Sequence, residues 1–147
     1  MTKLARYAWF VLLYNVAVIV FGAFVRATGS GAGCGRSWPT CQPAVDAAGE
    51  SERAIELTHR TSAGVSLLLV ATLAVLVWRG TSRGHLARRG AVLSTVAIVG
   101  EALIGAMIVL SEWVADDASI ARVVSVPLHL VNTLLLLAAL ALTILAP

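Results

Sequence analysis

The sequence of 147 residues is poor in charged side chains, which make up only 13% of it, whereas apolar types make up 59%. Soluble globular domains carry about 25% charged residues, so this chain has too few to cover its surface in water. Aromatic residues are also scarce, at 6%. No basic run is interleaved with them, so we expect no nucleic-acid partner despite the formal net charge of +3. The composition predicts an integral membrane protein.

The apolar residues are gathered into four runs, each close to the roughly 20 residues that a membrane-spanning helix needs. These runs predict helices at about 7–27, 55–78, 90–110 and 123–146. Helices are expected because an open strand could not satisfy its backbone hydrogen bonds in lipid. The predicted fold class is therefore all-α, with residues 1–147 forming a single four-helix transmembrane bundle.

The charges between the runs differ in sign from one end of the bundle to the other. Lys3 and Arg6 precede the first run, and the segment 79–89 between the second and third runs holds four arginines and no acid. The other two loops contain the acids Asp46, Glu50, Glu52, Glu112, Asp116 and Asp117. Because basic loops stay in the cytoplasm, both termini are predicted to be cytoplasmic and both acidic loops external. The expected location is the cell membrane, with the long loop between helices 1 and 2 outside.

The sequence has only two cysteines, Cys34 and Cys41, and both fall in the long outer loop. Their spacing supports neither the thioredoxin-type C-x2-C motif nor a zinc site. A disulfide is possible if the loop faces an oxidising compartment, either to staple the loop or to take part in redox chemistry. The loop begins with a glycine-rich stretch, residues 28–35, which cannot continue the first helix and predicts a tight capping loop.

Polar groups within or beside the predicted spans are the candidates for chemistry, because a charge at the bilayer centre costs about 2.5 to 3.5 kcal/mol on insertion scales. They are Glu56, His59, Arg60, Glu101, His129 and Asn132. His59 and His129 both lie near the outer ends of their helices, at comparable depth. Two neutral imidazoles facing each other across a bundle suit the axial positions of haem iron. The alternative is that they are bonded only to loops or carboxylates.

The charged residues near these histidines each have two interpretations. Glu56 is either an interfacial carboxylate held by Arg60 or the helix N-terminus, or a group that manages protons and water at the edge of a haem. Arg26 and Arg60 lie at the outer boundary, where they would bind haem propionates or extend to lipid headgroups. Glu101 is deeper, and is either protonated and hydrogen-bonded within the bundle or part of a site.

Five short motifs occur in order along nearly the whole chain. They are GAFVRATGSG (22–31), Cys34 with WPTC (38–41), ELTHR (56–60), LIG (103–105) and HL (129–130). Together they resemble the haem A synthase family of cytochrome oxidase assembly proteins. Members of that family have eight helices in two similar halves, each with a histidine pair, and this chain resembles the N-terminal half.

The resemblance implies an oxidoreductase that converts haem O to haem A by oxidising the C8 methyl group to a formyl group. It also implies that His59 and His129 are axial ligands of haem iron, that Glu56 lies near the reacting methyl group, and that Cys34 and Cys41 form a disulfide. The haem bound would be haem B, haem O or haem A. Haem O would be delivered by a haem O synthase.

Two copies of the chain would rebuild the eight-helix arrangement, so a homodimer or larger symmetric assembly is expected within the membrane lipid. In one departure from the family, Glu101 stands where an uncharged glutamine is expected more often.

Two other functions fit the same residues. A b-type haem protein for electron transfer or haem handling would need both histidines but would not depend on Glu56. A thiol–quinone oxidoreductase would depend on Cys34 and Cys41 and would survive the loss of both histidines.

Overall fold

The computed structural model describes residues 2–41, 49–114 and 117–145. Within these ranges the chain forms four α-helices and a short 3-10 turn at Ser30–Ala32, and no strand. The helices are α1 (Lys3–Ala27), α2 (Glu50–Gly80), α3 (Leu86–Leu110) and α4 (Ile120–Leu145). The predicted all-α class is therefore confirmed. Two of the loop acids named above, Asp46 and Asp116, lie outside the described residues.

Each of the four helices is long and apolar enough to cross a membrane, with 25 to 31 residues and a mean hydropathy of 2.0 to 2.3 in its most apolar stretch. A helix of the shortest of these lengths is about 37 Å long, which exceeds the roughly 30 Å hydrocarbon core of a bilayer. Large apolar side chains such as Leu13, Leu68 and Val96 are exposed on the outside of the bundle. The chain is thus a multi-pass membrane protein.

The helices begin before the apolar runs do, because polar residues start them. Thr2 precedes α1, and its Oγ1 accepts a hydrogen bond from a first-turn backbone N–H at 3.1 Å. α2 begins at Glu50 rather than at about 55, since Glu50 and Glu52 in its first turn are favoured by the helix dipole. At the start of α3, Nδ1 of His85 accepts a hydrogen bond from the backbone N–H of Ala87 at 3.2 Å. These ends follow from capping and not from hydropathy.

The four helices form a closed bundle in which each packs against two neighbours. α1 contacts α2 and α4, and α3 contacts the same two helices, most extensively α4. The centre of the apolar core consists of Val11, Val70, Leu73 and Leu140, whose side chains are fully buried. α2 and α4 consequently lie diagonally opposite each other, which is the arrangement that two side chains facing across a bundle require.

A polar contact joins α1 to α2 inside this core. Asn15 is buried, and its Nδ2 donates a hydrogen bond to the backbone carbonyl of Val11 at 2.8 Å. Its Oδ1 accepts a hydrogen bond from Oγ of Ser66 at 2.6 Å. Asn15, a polar residue within the first apolar run, therefore joins α1 to α2.

Candidate functional site

The first part of the loop between α1 and α2, residues 28–41, folds back over the beginning of α2, as the glycine-rich stretch predicts for a capping loop. Gly29, two residues after α1 ends, has a φ of +69°, a left-handed conformation that glycine adopts without strain. A Cβ at Gly33 would lie 2.6 Å from the backbone carbonyl of Glu52, so only glycine allows this close approach. Cys34 is buried and forms a disulfide with Cys41, with an S–S length of 2.01 Å. The predicted disulfide is therefore present.

Glu56 and Arg60 hold this disulfide loop against α2. Glu56 is only 3% exposed, and its Oε2 accepts a hydrogen bond from the backbone N–H of Cys34 at 2.6 Å. Its Oε1 accepts from Nε of Arg60 at 3.0 Å and also from Nη2. Nη1 of Arg60 donates to the carbonyls of Ser37 and Thr40, which lie within the disulfide ring. Of the two interpretations of Glu56, the carboxylate held by Arg60 is realised in the structure.

The two histidines lie at equal depth on diagonal helices. His59 is nine positions after the first residue of α2 (59 minus 50), and His129 is nine positions after the first residue of α4 (129 minus 120). Both Nδ1 atoms are buried without a hydrogen bond. Nearly all buried polar atoms in proteins are hydrogen-bonded, so Nδ1 of His59 is an exception. At His129, a carboxylate oxygen of Glu101 lies 2.8 Å from the same atom.

A glycine of the preceding helix lies beside each imidazole. A Cβ at Gly22 would be 3.0 Å from Cε1 of His59, and a Cβ at Gly105 would be 3.9 Å from Cε1 of His129. Gly22 lies five positions before the end of α1 (27 minus 22), and Gly105 five before the end of α3 (110 minus 105). The α1–α2 and α3–α4 pairs therefore repeat one arrangement. In addition, the ring of Phe21 meets that of His59 edge-on, with centroids 5.9 Å apart.

His129 has an acidic neighbour that His59 lacks among its contacts. Oε2 of Glu101 lies 2.8 Å from Nδ1 of His129, the distance of an ion pair, although the angle is not that of a hydrogen bond. Oε1 of Glu101 accepts a hydrogen bond from Nδ2 of Asn132 at 2.6 Å. The same amide donates to the carbonyl of Ala97 at 2.8 Å. Glu101 is thus hydrogen-bonded within the bundle and also contacts a candidate site residue, so the structure does not decide between its two interpretations.

The chain matches a family of known proteins over nearly its whole length. The model of the cytochrome oxidase assembly proteins matches residues 5–52 and 46–147, which together cover almost the whole chain. The chain belongs to this haem A synthase family. The resemblance in the five sequence motifs is therefore confirmed.

Individual relatives are similar to this chain over different lengths. A Thermus thermophilus protein named protoheme IX farnesyltransferase is 51% identical over 143 residues, which are 97% of this chain and 24% of that protein. Haem A synthases of Bacillus licheniformis and Bacillus mycoides are 42% and 40% identical over 89 and 92 residues. These alignments cover 60% and 62% of this chain and 30% of each relative. The chain spans about a quarter to a third of the length of the relatives it matches.

Two further residues, Arg26 and Arg60, were predicted to bind haem propionates. Arg26 lies in the last turn of α1 and is exposed. Arg60 is occupied by Glu56 and the loop carbonyls, and its side chain is 10% exposed. A propionate-binding role for either arginine stays a prediction. A groove of about 490 Å³ lies at the opposite end of the bundle, beside Trp78, and none of the predicted site residues line it.

The sequence predicts that Glu56, His59 and Arg60 lie close together, but it does not indicate the loop groups that Glu56 and Arg60 bind. No spacing indicates that the backbone of Cys34 meets Glu56, because the contact depends on how the loop folds. The common depth of Glu101 and His129 had a usable signal, although their contact did not. Glu101 lies nine positions before the end of α3 (110 minus 101), so it is at the depth of the histidines.

Proposed function

We propose that this chain binds haem between His59 and His129 and is a haem A synthase-type oxidoreductase of the cell membrane. The observation that carries the proposal is the placement of His59 and His129 at matching positions on diagonal helices, each beside a glycine of the preceding helix. Membership of the haem A synthase family supports the choice of haem over other ligands. The donor chemistry also fits, since neutral imidazoles are common axial ligands of haem iron.

In the proposed site, His59 and His129 hold the haem, and Gly22 and Gly105 leave room for the two imidazoles beside α1 and α3. Haem iron supplies one-electron redox chemistry when bound. The proposed substrate is haem O, whose C8 methyl group becomes the formyl group of haem A. That conversion removes four electrons and four protons and adds one oxygen atom from water. We propose that a membrane electron acceptor takes the electrons.

Glu56 is proposed to act on protons in addition to holding the loop. It lies one helical turn before His59 and is buried at the same end of the bundle. A carboxylate oxygen can accept more than one hydrogen bond, and Oε2 of Glu56 accepts only that of Cys34 within the described contacts. Oε2 therefore retains a lone pair to take up a proton released at the methyl group. Arg60 holds the carboxylate in one orientation through its hydrogen bonds to Oε1.

The helices of the described residues lead to a proposal about assembly. Four of them can span a membrane, and two copies related by a two-fold axis would supply eight. We propose a homodimer or a larger symmetric assembly in the lipid. We also propose that haem O reaches it from a haem O synthase. The similarity to a protein named as a farnesyltransferase supports this link between farnesylation of haem and the present chain.

The test is to express variants in cells that supply haem O, purify them in detergent, and identify the extracted haems by mass and reduced-pyridine spectrum. Glu56→Ala would confuse two roles because it also frees the loop. Glu56→Gln keeps an oxygen for the N–H of Cys34 and removes the proton acceptor. The double variant Cys34→Ser/Cys41→Ser removes the covalent closure of the loop but keeps Glu56. Glu112→Gln, an exposed acid, is the control for charge.

We expect haem A from the wild type and from Glu112→Gln, but only haem O or haem B from Glu56→Gln. His59→Ala and His129→Ala should each lose bound haem. If the wild type held haem B alone and formed no oxidised haem, the enzyme would be rejected and the b-type haem protein would lead. A redox activity that survived both histidine variants and vanished with the cysteines would instead identify a thiol–quinone oxidoreductase.

A further inference from the structure

Three polar side chains of α3 and α4 form a connected set inside the bundle: Asn132, Glu101 and His129. We propose that Glu101 is a positioning residue for His129. Its carboxylate holds the imidazole through Nδ1, which leaves Nε2 for the haem iron and makes it a stronger electron donor. This inference rests on the proposed ligation of haem by His129.

Asn132 fixes the position of the Glu101 carboxylate beside His129. Asn132 donates from Nδ2 both to Oε1 of Glu101 at 2.6 Å and to the carbonyl of Ala97 at 2.8 Å. Gly100 permits this, since a Cβ there would lie 3.1 Å from Oδ1 of Asn132. The amide is therefore anchored to α3, and it directs the carboxylate whose second oxygen lies 2.8 Å from Nδ1 of His129.

A carboxylate at this position acts on the imidazole of His129. Histidines that bind metals commonly donate their other N–H to a carboxylate or carbonyl, which fixes the tautomer and raises the basicity of the ligating nitrogen. An uncharged amide at position 101 would supply an acceptor without the charge. The acid at this position therefore makes His129 a stronger ligand than an amide would, and it favours ferric over ferrous iron.

The two histidines differ in their surroundings. Nδ1 of His59 is buried without a hydrogen bond, and its ring is flanked by Gly22 and the edge of Phe21. Nδ1 of His129 faces a carboxylate. The α1–α2 and α3–α4 pairs thus repeat the position of the histidine but not its environment. The two histidines that would hold the haem are consequently unequal, with the stronger donor on α4.

The experiment uses the full-length protein purified with haem, and it measures the midpoint potential and the electron paramagnetic resonance spectrum of the ferric form. Glu101→Gln removes the charge and keeps an acceptor for Asn132. Asn132→Ala keeps the charge and removes the hydrogen bond that aims it. Glu112→Gln changes the net charge equally at an exposed position and is the control. Haem content per chain is measured for every variant.

We expect Glu101→Gln to weaken ferric relative to ferrous binding about tenfold, which raises the midpoint potential by about 59 mV for a one-electron couple. Asn132→Ala should shift the potential in the same direction by less, and both should change the g values of the ferric haem. Glu112→Gln should leave both unchanged.

Other outcomes separate this inference from the proposed function. If Glu101→Gln and Asn132→Ala both held less haem, and that haem had the wild-type potential and g values, Glu101 would be a structural residue only. If Glu101→Gln shifted the potential and Asn132→Ala did not, the charge would act at a distance without positioning His129. In either case haem binding would stand. A wild-type protein whose haem content is unaffected by His129→Ala would overturn the proposed ligation itself.

Discussion

The imidazole of His59 packs directly against the backbone of Gly22. A Cβ at Gly22 would lie 3.0 Å from Cε1 and 3.2 Å from Nε2 of that ring, closer than nearly all real Cβ contacts. The glycine of α1 therefore sets the position of a side chain on α2. Any larger residue at position 22 has to displace the ring or the helix that carries it.

Gly22→Ala is expected to lower the haem content of the purified protein more than its stability. The added methyl group displaces the imidazole by a few tenths of an ångström, and perturbation of a ligand's support typically costs about 10-fold to 100-fold in affinity. Gly22→Val should be more severe. The measurement is haem per chain by reduced-pyridine spectrum, alongside the midpoint of thermal unfolding.

Gly64→Ala is the matched control for this prediction. Gly64 is also a helical glycine, five positions after His59, and nothing lies within 4 Å of a Cβ built on it. Its replacement should leave haem content unchanged and should stabilise the helix by roughly 0.5 to 1 kcal/mol. Equal haem loss in both variants would show that glycine content, and not contact with His59, determines haem binding.

The clamp formed by Glu56 and Arg60 predicts that the disulfide is protected from reductant. In Arg60→Lys, one ammonium group replaces a planar fork that binds Glu56 and two loop carbonyls. Loss of about 1.4 kcal/mol of docking free energy would make the undocked loop about tenfold more populated. The expected result is a disulfide reduced about tenfold faster, measured by maleimide labelling of Cys34 and Cys41 in membranes.

Arg53→Lys is the control for the clamp. Arg53 lies two turns earlier on α2, and its side chain has no hydrogen bond to the disulfide ring among the described contacts. Its substitution should leave the reduction rate at the wild-type value. A wild-type rate in Arg60→Lys as well would mean that Gly33 and the disulfide hold the loop without the clamp.

The apolar runs predicted the four helices because a helix needs a long apolar segment to cross lipid, whichever neighbouring helices it contacts. The common depth of His59 and His129 was predictable for the same reason, since helix length and direction determine depth. Contacts between helices were not predictable in this way. Whether Glu101 faces His129 depends on the rotation of α3 about its axis. Hydropathy is high all round this helix, so it does not define that rotation.

The helix starts were missed for a different physical reason. α2 begins at Glu50 because acids favour a helix N-terminus, and this extension carries the backbone of Glu52 against which Gly33 of the loop packs. The binding partners of Glu56 and Arg60 include backbone groups of Cys34, Ser37 and Thr40. Backbone partners have no sequence signature, so only the folded loop reveals them.

The hydrogen bond between Asn15 and Ser66 is expected to stabilise the pairing of α1 and α2. Both side chains are buried, and Oγ of Ser66 donates to Oδ1 of Asn15 at 2.6 Å. Ser66→Ala should lower the free energy of unfolding in detergent by about 0.6 kcal/mol, the average for such bonds in membranes. Asn15→Ala should cost more, since it also leaves a cavity in the core.

Thr72→Ala is the control for this pair of variants. Thr72 is exposed on α2, and its hydroxyl donates only to the carbonyl of Leu68 in its own helix. Its loss should leave the unfolding free energy within about 0.5 kcal/mol of the wild type. A cost in Thr72→Ala equal to that in Ser66→Ala would contradict a role for the bond between helices.

The orientation predicted from the loop charges places the disulfide loop outside the cytoplasm, and one pair of cysteine variants tests it. Ser82→Cys adds an exposed thiol between α2 and α3, and Ser111→Cys adds one at the opposite end of α3. The arginines flanking position 82 should keep that thiol cytoplasmic. A membrane-impermeant maleimide should therefore label Ser111→Cys in intact spheroplasts, but Ser82→Cys only after permeabilisation. The reverse pattern would put the disulfide in the reducing compartment, where Cys34 and Cys41 could not remain paired.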